Sequence, residues 1–280
     1  MMTDQNISAK SPLLLIHPIG VGLSAQFWHR FIDHWSETGD GRELIAPDLL
    51  GCGFAACPRQ PLTPEDWATA LLEPLKRRNS PPVILVAQGA SLPIALAVMA
   101  EAPQLVSGLI AISPPGWRVL RDTFPTQRSN QLWNVLFNGT LGTLFYRYAR
   151  RRSFLNSFSK NNLFACQDDV DEEWIETLHE GSKKMDTRWA VFSFLAGFWR
   201  RGWEPALTAV NVPFLVVFGR SATGIGRSSN WDDVEERLNT YNSKLNNAVI
   251  QTIDGRNVLP YESTKQCVNC VQRWLQDISS

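Results

Sequence analysis

The chain has 280 residues and balances 27 Lys plus Arg against 27 Asp plus Glu. Zero formal net charge gives no long-range field for a polyanion, so no nucleic-acid partner is expected, and 44% hydrophobic content is ordinary for a globular chain. Five Cys without a repeated spacing argue against a disulfide scaffold and for a reducing, cytoplasmic setting.

The opening MMTDQNISAKSPLLLIHPIG lacks a basic n-region and does not read as a signal peptide. No stretch approaches the ~18 apolar residues of a membrane span, so no transmembrane segment is expected. Residues 12–17 (PLLLIH) and 44–47 (LIAP) read as buried strands. Residues 63–78 begin Thr-Pro-Glu-Asp, a helix N-cap followed by Pro at the first helical position. Residues 83–87 (VILVA) form a third strand run, then a small-residue turn, then an Ala-rich helix at 91–101. Further strand runs lie at 109–113 (LIAIS), 213–219 (PFLVVFG) and 248–253 (AVIQTI), and a helix at 263–278 closes the chain. These runs are apolar on both faces, as strands covered by helices on both sides must be. The expected fold class is α/β, with a mostly parallel doubly wound sheet.

The alternation breaks over 114–203, which reads as helices at 130–137, 142–152, 171–184 and 189–201. The expected division is a core of 1–113 and 204–280 and a helical cap of 114–203 over the sheet's C-terminal edge, where ligands bind in open α/β folds. In the cap, Arg147, Arg150, Arg151 and Arg152 interleave with Phe145, Tyr146, Tyr148 and Phe154. Two readings stay open: a docking surface for an anionic partner or membrane, or an amphipathic helix with a solvated basic face. Residues 188–203 are apolar nearly all round, which suits a buried helix or an apolar pocket wall. The CVNC run at Cys267 and Cys270 is a lone CxxC far from any strand-to-helix turn, and a packing role is expected for it.

Four blocks together resemble the α/β-hydrolase superfamily in its small-esterase and haloperoxidase-like style. LLLIHPIGVGLSAQFW resembles the first strand and a His-Gly type oxyanion loop. LIAPDLLGCGFAACP resembles the APDLRGHGxSxxP stretch through Ala46, Pro47, Asp48, Leu49, Gly51, Gly53 and Pro58. VPFLVVFGR resembles the strand that delivers the acid, and IDGRNVLPYE the loop that delivers the histidine. The resemblance implies a nucleophile elbow, Gly-x-Ser-x-Gly, on a strained strand-to-helix turn. In register with both flanks, that turn reads Ala87, Gln88, Gly89, Ala90, Ser91, so Gly89 stands at the nucleophile position. Glycine suits an apex that demands φ above zero. Ala222 stands at the acid position and Val258 at the histidine position, the nearest downstream acids being Asp232 and Asp233. No His follows His179 in the chain, so the standard Ser-His-Asp triad is not present.

A fallback pairs Ser91 with His17 as its base; the plainer readings are a helix N-cap for Ser91 and a backbone-bonded structural role for His17. His29 and His34 are five apart and do not share a helix face as metal ligands, and His179 sits in an acidic helix, so no metal site or cofactor is expected. Gly224, Ile225, Gly226 and Arg227 resemble a small phosphate nest but read better as a loop. The pocket is expected to be bordered by His17, Pro18, Ile19, Gly20, Gln88, Gly89 and Ala90. The expected function is a catalytically impaired hydrolase-fold protein holding an apolar small molecule or a protein partner. The alternatives are a serine hydrolase of esters or amides using Ser91, or an assembly factor making peripheral contact through residues 147–152.

Overall fold

Six strands form one sheet among the residues that a computed structural model describes, 11–78, 81–225 and 233–279. They are β1 (Leu13–Ile16), β2 (Leu44–Ile45), β3 (Val83–Gln88), β4 (Val106–Ile112), β5 (Phe214–Gly219) and β6 (Ala248–Ile253). Their order is β2-β1-β3-β4-β5-β6, and every neighbouring pair is parallel. Each apolar run found in the sequence is a strand, because parallel strands need helical crossovers that cover both sheet faces. The crossovers include α1 (His29–Glu37), α2 (Pro64–Arg77) and α3 (Leu92–Glu101). Thr63 and Asp66 form a reciprocal capping box at the start of α2.

The strands alternate their side chains between two cores. Leu14, Ile16, Leu85, Ala87, Leu109 and Ala111 pack toward α2 and α3. Leu13, Leu15, Ile84, Val86, Ile110 and Ile112 pack with α1 and the C-terminal helix α13 (Thr264–Asp277). Coverage on both faces fails at the edges: β6 alternates between half-buried and exposed residues, and Val249 is 45% exposed.

Between β4 and β5 the described residues form helices: α4 (Trp117–Arg121), α5 (Thr126–Gln131), a π-helical turn (Leu132–Phe137), α6 (Thr140–Ala149), α7 (Arg152–Asn162), α8 (Glu172–Gly181), α9 (Arg188–Leu195) and α10 (Glu204–Thr208). The single basic helix expected over 142–152 is two helices. Arg150 caps α6, Arg151 is extended (φ −67°, ψ 137°), and Arg152 begins α7. The helix expected to 201 stops at Leu195, where Gly197 turns the chain with φ +83°. Trp133, Phe137, Tyr146, Trp189, Phe192 and Phe198 form a third core, with Phe137 stacked on Phe192 at 4.8 Å. No helix of the described residues is long and apolar enough to cross a membrane.

This helical segment is held by the loops that follow β1, β2 and β6. A Cβ on Gly22 (φ +78°) would lie 1.8 Å from the Leu178 carbonyl oxygen, so α8 rests directly on the loop after β1. Leu62 N–H donates to Ser193 Oγ at 2.9 Å, and Asn257 N–H to the Leu163 carbonyl at 3.0 Å. Arg30 on α1 pairs with Asp171 and Glu173 and stacks 3.8 Å above the Tyr261 ring, while Tyr261 donates to Asp171 at 2.9 Å. Tyr261 lies on the short helix α12 (Leu259–Glu262).

Candidate functional site

Strand β3 ends at Gln88 and the chain turns at once into helix. Gly89 takes φ +59°, Gly89–Ser91 form one 3-10 turn, and α3 follows without a break. Glycine is the residue that adopts this conformation at least cost. A Cβ there would meet only the Ser113 carbonyl oxygen, at 3.9 Å, so backbone conformation rather than space favours glycine.

The helix begins before Ser91, which corrects its N-cap reading. Ser91 is already helical (φ −83°, ψ −3°) and makes no capping bond. Its hydroxyl donates to the His17 backbone carbonyl at 2.7 Å, tying α3 to the loop after β1. The imidazole of His17 is fully buried and committed on both sides. Nε2 accepts the Leu49 N–H at 3.0 Å, which leaves the proton on Nδ1 to be donated to the Pro18 carbonyl at 2.9 Å. Burial pulls its pKa down to about 4, partly offset by the Pro18 bond and by Asp48. The fallback pair is therefore adjacent through the backbone carbonyl of His17, not through its ring.

Ala222 (1% exposed) sits in a turn after β5, and Val258 (4% exposed) sits at the start of α12. Their loops are bound to each other and to the elbow. Gln88 donates through Nε2 to the Asn257 carbonyl at 2.7 Å. Asn257 donates through Nδ2 to the Thr223 carbonyl at 3.1 Å and to the Asn162 carbonyl at 2.8 Å. Arg256 donates to Thr223 Oγ1 at 2.7 Å and to the Asn161 carbonyl at 2.7 Å. A Cβ on Gly219 would lie 2.3 Å from the Gly255 carbonyl oxygen, so the two loops touch backbone to backbone. The three turns matched to a triad thus form one hydrogen-bonded group that includes the C-terminal end of α7. Sequence reasoning missed Asn257 and Arg256 as its connectors.

Pro18, Gly20, Gly89 and Ala90 are half-buried, whereas Ile19, Gln88 and their strand neighbours are buried. Two buried polar atoms beside the elbow, Gln88 Oε1 and Ser113 Oγ, have no hydrogen-bond partner. Ser113 is also the only non-glycine residue with positive φ (47°) among the described residues, a strained conformation at the end of β4. The run 109–113 places Ser113 as the last residue of a strand, whereas β4 ends at Ile112; the Ser-Pro-Pro sequence is the signal for that earlier end.

The remaining candidates lie elsewhere. His29 bonds Glu173, His34 bonds Glu37, and His179 bonds the Arg150 carbonyl. Asp233 caps α11 (Val234–Lys244) by accepting the Glu236 N–H at 2.8 Å. Asp232, Gly226 and Arg227 lie outside the described residues. Cys267 and Cys270 are buried in α13, where desolvation pushes the Cys270 thiol up to about 11 and the Cys267 thiol well above its ordinary value. Arg150 donates to the Lys183 carbonyl and to Met185 Sδ, and Arg152 pairs with Glu172 and Glu176, so only Arg147 and Arg151 of the four remain on an outer face. An open cleft lined by Leu207, Phe214, Leu245 and Ala248 lies at the opposite, N-terminal edge of β5 and β6.

A parallel sheet with a glycine-tipped strand-to-helix elbow, facing two loops at its C-terminal edge, defines an α/β-hydrolase core. The chain belongs to the alpha/beta hydrolase family, which it matches over residues 13–268. No curated protein sequence matches it. Among solved structures it is similar to an esterase from Thermogutta terrifontis, with 19% identity over 96% of this chain and 91% of that one and a TM-score of 0.71. It is also similar to a bromoperoxidase from Bacillus anthracis, with 16% identity over 95% and 92% and a TM-score of 0.72. A meta-cleavage product hydrolase from Pseudomonas fluorescens shares 17% identity over 95% and 91%, with a TM-score of 0.66. At these identities the likeness establishes the fold.

Proposed function

We propose that this chain is a hydrolase-fold protein that does not perform Ser-His-acid hydrolysis and instead holds an apolar small molecule at the elbow, with residues 114–203 as its cap. The observation that carries the reading is the commitment of both fallback groups to backbone: the Ser91 hydroxyl to the His17 carbonyl, and the His17 ring to Leu49 N–H and the Pro18 carbonyl. A serine nucleophile needs an imidazole lone pair within reach, and here that lone pair is already accepting a hydrogen bond.

The kind of ligand follows from what the elbow leaves open. Half-buried Pro18, Gly20, Gly89 and Ala90 offer an apolar floor. Gln88 Oε1 lies buried and unpartnered behind that floor, at a cost of about 1–3 kcal/mol, so a ligand whose entry displaces the covering residues and donates to it recovers that energy. An apolar body with one hydroxyl or N–H group fits these requirements.

Incubation with a fluorophosphonate probe tests the absence of serine chemistry. The expected result is no covalent labelling and no turnover of p-nitrophenyl esters above buffer. Labelling of the native chain that disappears in Ser91→Ala overturns the reading. Saturable binding of a fluorescent fatty alcohol, weakened about fivefold in Gln88→Leu, is the expected positive signal.

A further inference from the structure

Helix α6 carries its apolar residues on the wrong side for a helix that faces water. Its inner face is Gly142, Tyr146 and Ala149, all buried, with the Tyr146 hydroxyl 2.7 Å from Thr187 Oγ1. Its outer face is Leu141, Leu144, Phe145 and Tyr148, exposed by 57%, 59%, 39% and 53%. The spacing is three, one and three residues, a continuous stripe along a helix. Val135 at 76% exposure lies on the π-helical turn just before α6, and Phe158 at 38% lies on α7. The aromatic contacts run on from Tyr148 to Phe154 and from Phe154 to Phe158. Of the eleven exposed large hydrophobic residues among those described, seven lie between residues 135 and 158. A concentration of that kind marks an interaction surface.

Charge identifies what the surface fits. Residues 123–167 contain no Asp or Glu and carry Arg128, Arg147, Arg150, Arg151, Arg152 and Lys160, in a chain whose total charge is zero. Arg150 and Arg152 are turned inward onto α8 and its following loop. Arg128, Arg147 and Arg151 are exposed and make no ion pair among the described residues. The Arg151 guanidinium lies 5.6 Å from the Tyr148 ring, so cation and aromatic side chain sit side by side at the edge of the stripe. Acyl chains take up Leu and Phe without a shaped pocket, and lipid phosphates pair with unsatisfied guanidinium groups.

We propose that the outer face of α6 and α7 docks on an anionic lipid surface. The inference is independent of what the elbow binds. It differs from the sequence expectation in its residues, because the break at Arg150 and Arg151 leaves Leu141, Leu144, Arg147 and Arg151 as the contacting set.

Cosedimentation of the full chain with vesicles tests the proposal, using phosphatidylcholine alone and an equal mixture of phosphatidylcholine and phosphatidylserine. The native chain is expected to pellet with the mixed vesicles, less so as salt rises, and to stay in solution with phosphatidylcholine alone. Leu141→Ser with Leu144→Ser is expected to lower partitioning at least about tenfold. Arg147→Ala with Arg151→Ala lowers it about twenty-five-fold, near fivefold for each charge. Arg77→Ala, an exposed position on α2, leaves it unchanged. All four substituted side chains of the patch are exposed, and thermal unfolding of each variant checks that it folds. A native chain that ignores the mixed vesicles overturns the proposal, as do folded variants that bind as well as it does. Self-association abolished by Leu141→Ser with Leu144→Ser, without vesicle binding, assigns the face to a protein contact instead and also overturns it.

Discussion

Lowering the pH from 7 to 4.5 tests whether His17 is a structural group or an available base. In the folded protein its pKa is about 4, against 6.5 for a free imidazole, with burial as the leading cause. The unfolded chain therefore binds a proton more readily through the window between these values. Stability from this group is complete above pH 6.5, falls as the pH drops below it, and levels off below pH 4. At pH 4.5 the linkage amounts to about 2.5 kcal/mol, a large share of the ~5–15 kcal/mol that holds a typical domain. Urea unfolding at a series of pH values measures it, with His17→Gln as the reference. Glutamine keeps one donor and one acceptor but does not titrate. Carboxylates held low by Arg30, such as Glu173, also lose stability in acid, but their contribution is common to both proteins and cancels in the difference. The native chain should lose its advantage over His17→Gln as the pH falls from 6.5 to 4. Parallel curves for the two proteins, or an NMR titration of His17 near pH 6.5, would refute the reasoning and restore a base beside the elbow.

Gly89→Ser should fold with a loss of about 1 kcal/mol, because its nearest non-neighbour atom is 3.9 Å away and only the left-handed φ is strained. It should remain unreactive to fluorophosphonate for want of an imidazole, as labelling and a melting curve will report. Asn257→Ala removes two side-chain bonds and leaves the half-buried Asn162 and Thr223 residues without these partners, a loss of about 1–3 kcal/mol by urea titration. Gly22→Ala drives a methyl group into the Leu178 carbonyl at φ +78° and should cost at least about 2 kcal/mol, measured the same way.

The sheet was legible because its strands are fixed by local pattern: six apolar runs, the four central ones buried by helices that the intervening residues also announce. Thr63 and Asp66 were legible for the same reason, being three residues apart. What escaped sequence reading is set by distant partners. Nothing in RYARRRSF marks a helix break; Arg150 is instead drawn to Lys183 and Met185 and Arg152 to Glu172 and Glu176, all at least 20 residues along the chain. Ser91 looks like a cap because Ser precedes Leu-Pro, yet the positive φ at Gly89 starts the helix two residues earlier and releases the hydroxyl for His17.

Asn257 is the sharpest case, since its partners are 95 and 34 residues away and its own neighbours carry no signal. It also explains how this edge of the sheet keeps its form with Gly89, Ala222 and Val258 at the three matched positions. None of those three side chains bonds one loop to another; Gln88, Asn257, Arg256 and Thr223 do so. The bonds that hold these loops together are made by residues other than the three matched positions, so the loops stay joined without a side-chain bond from any of those three. A turn that resembles a nucleophile elbow in shape is for that reason no measure of reactivity; the partners of its hydroxyl and imidazole groups are.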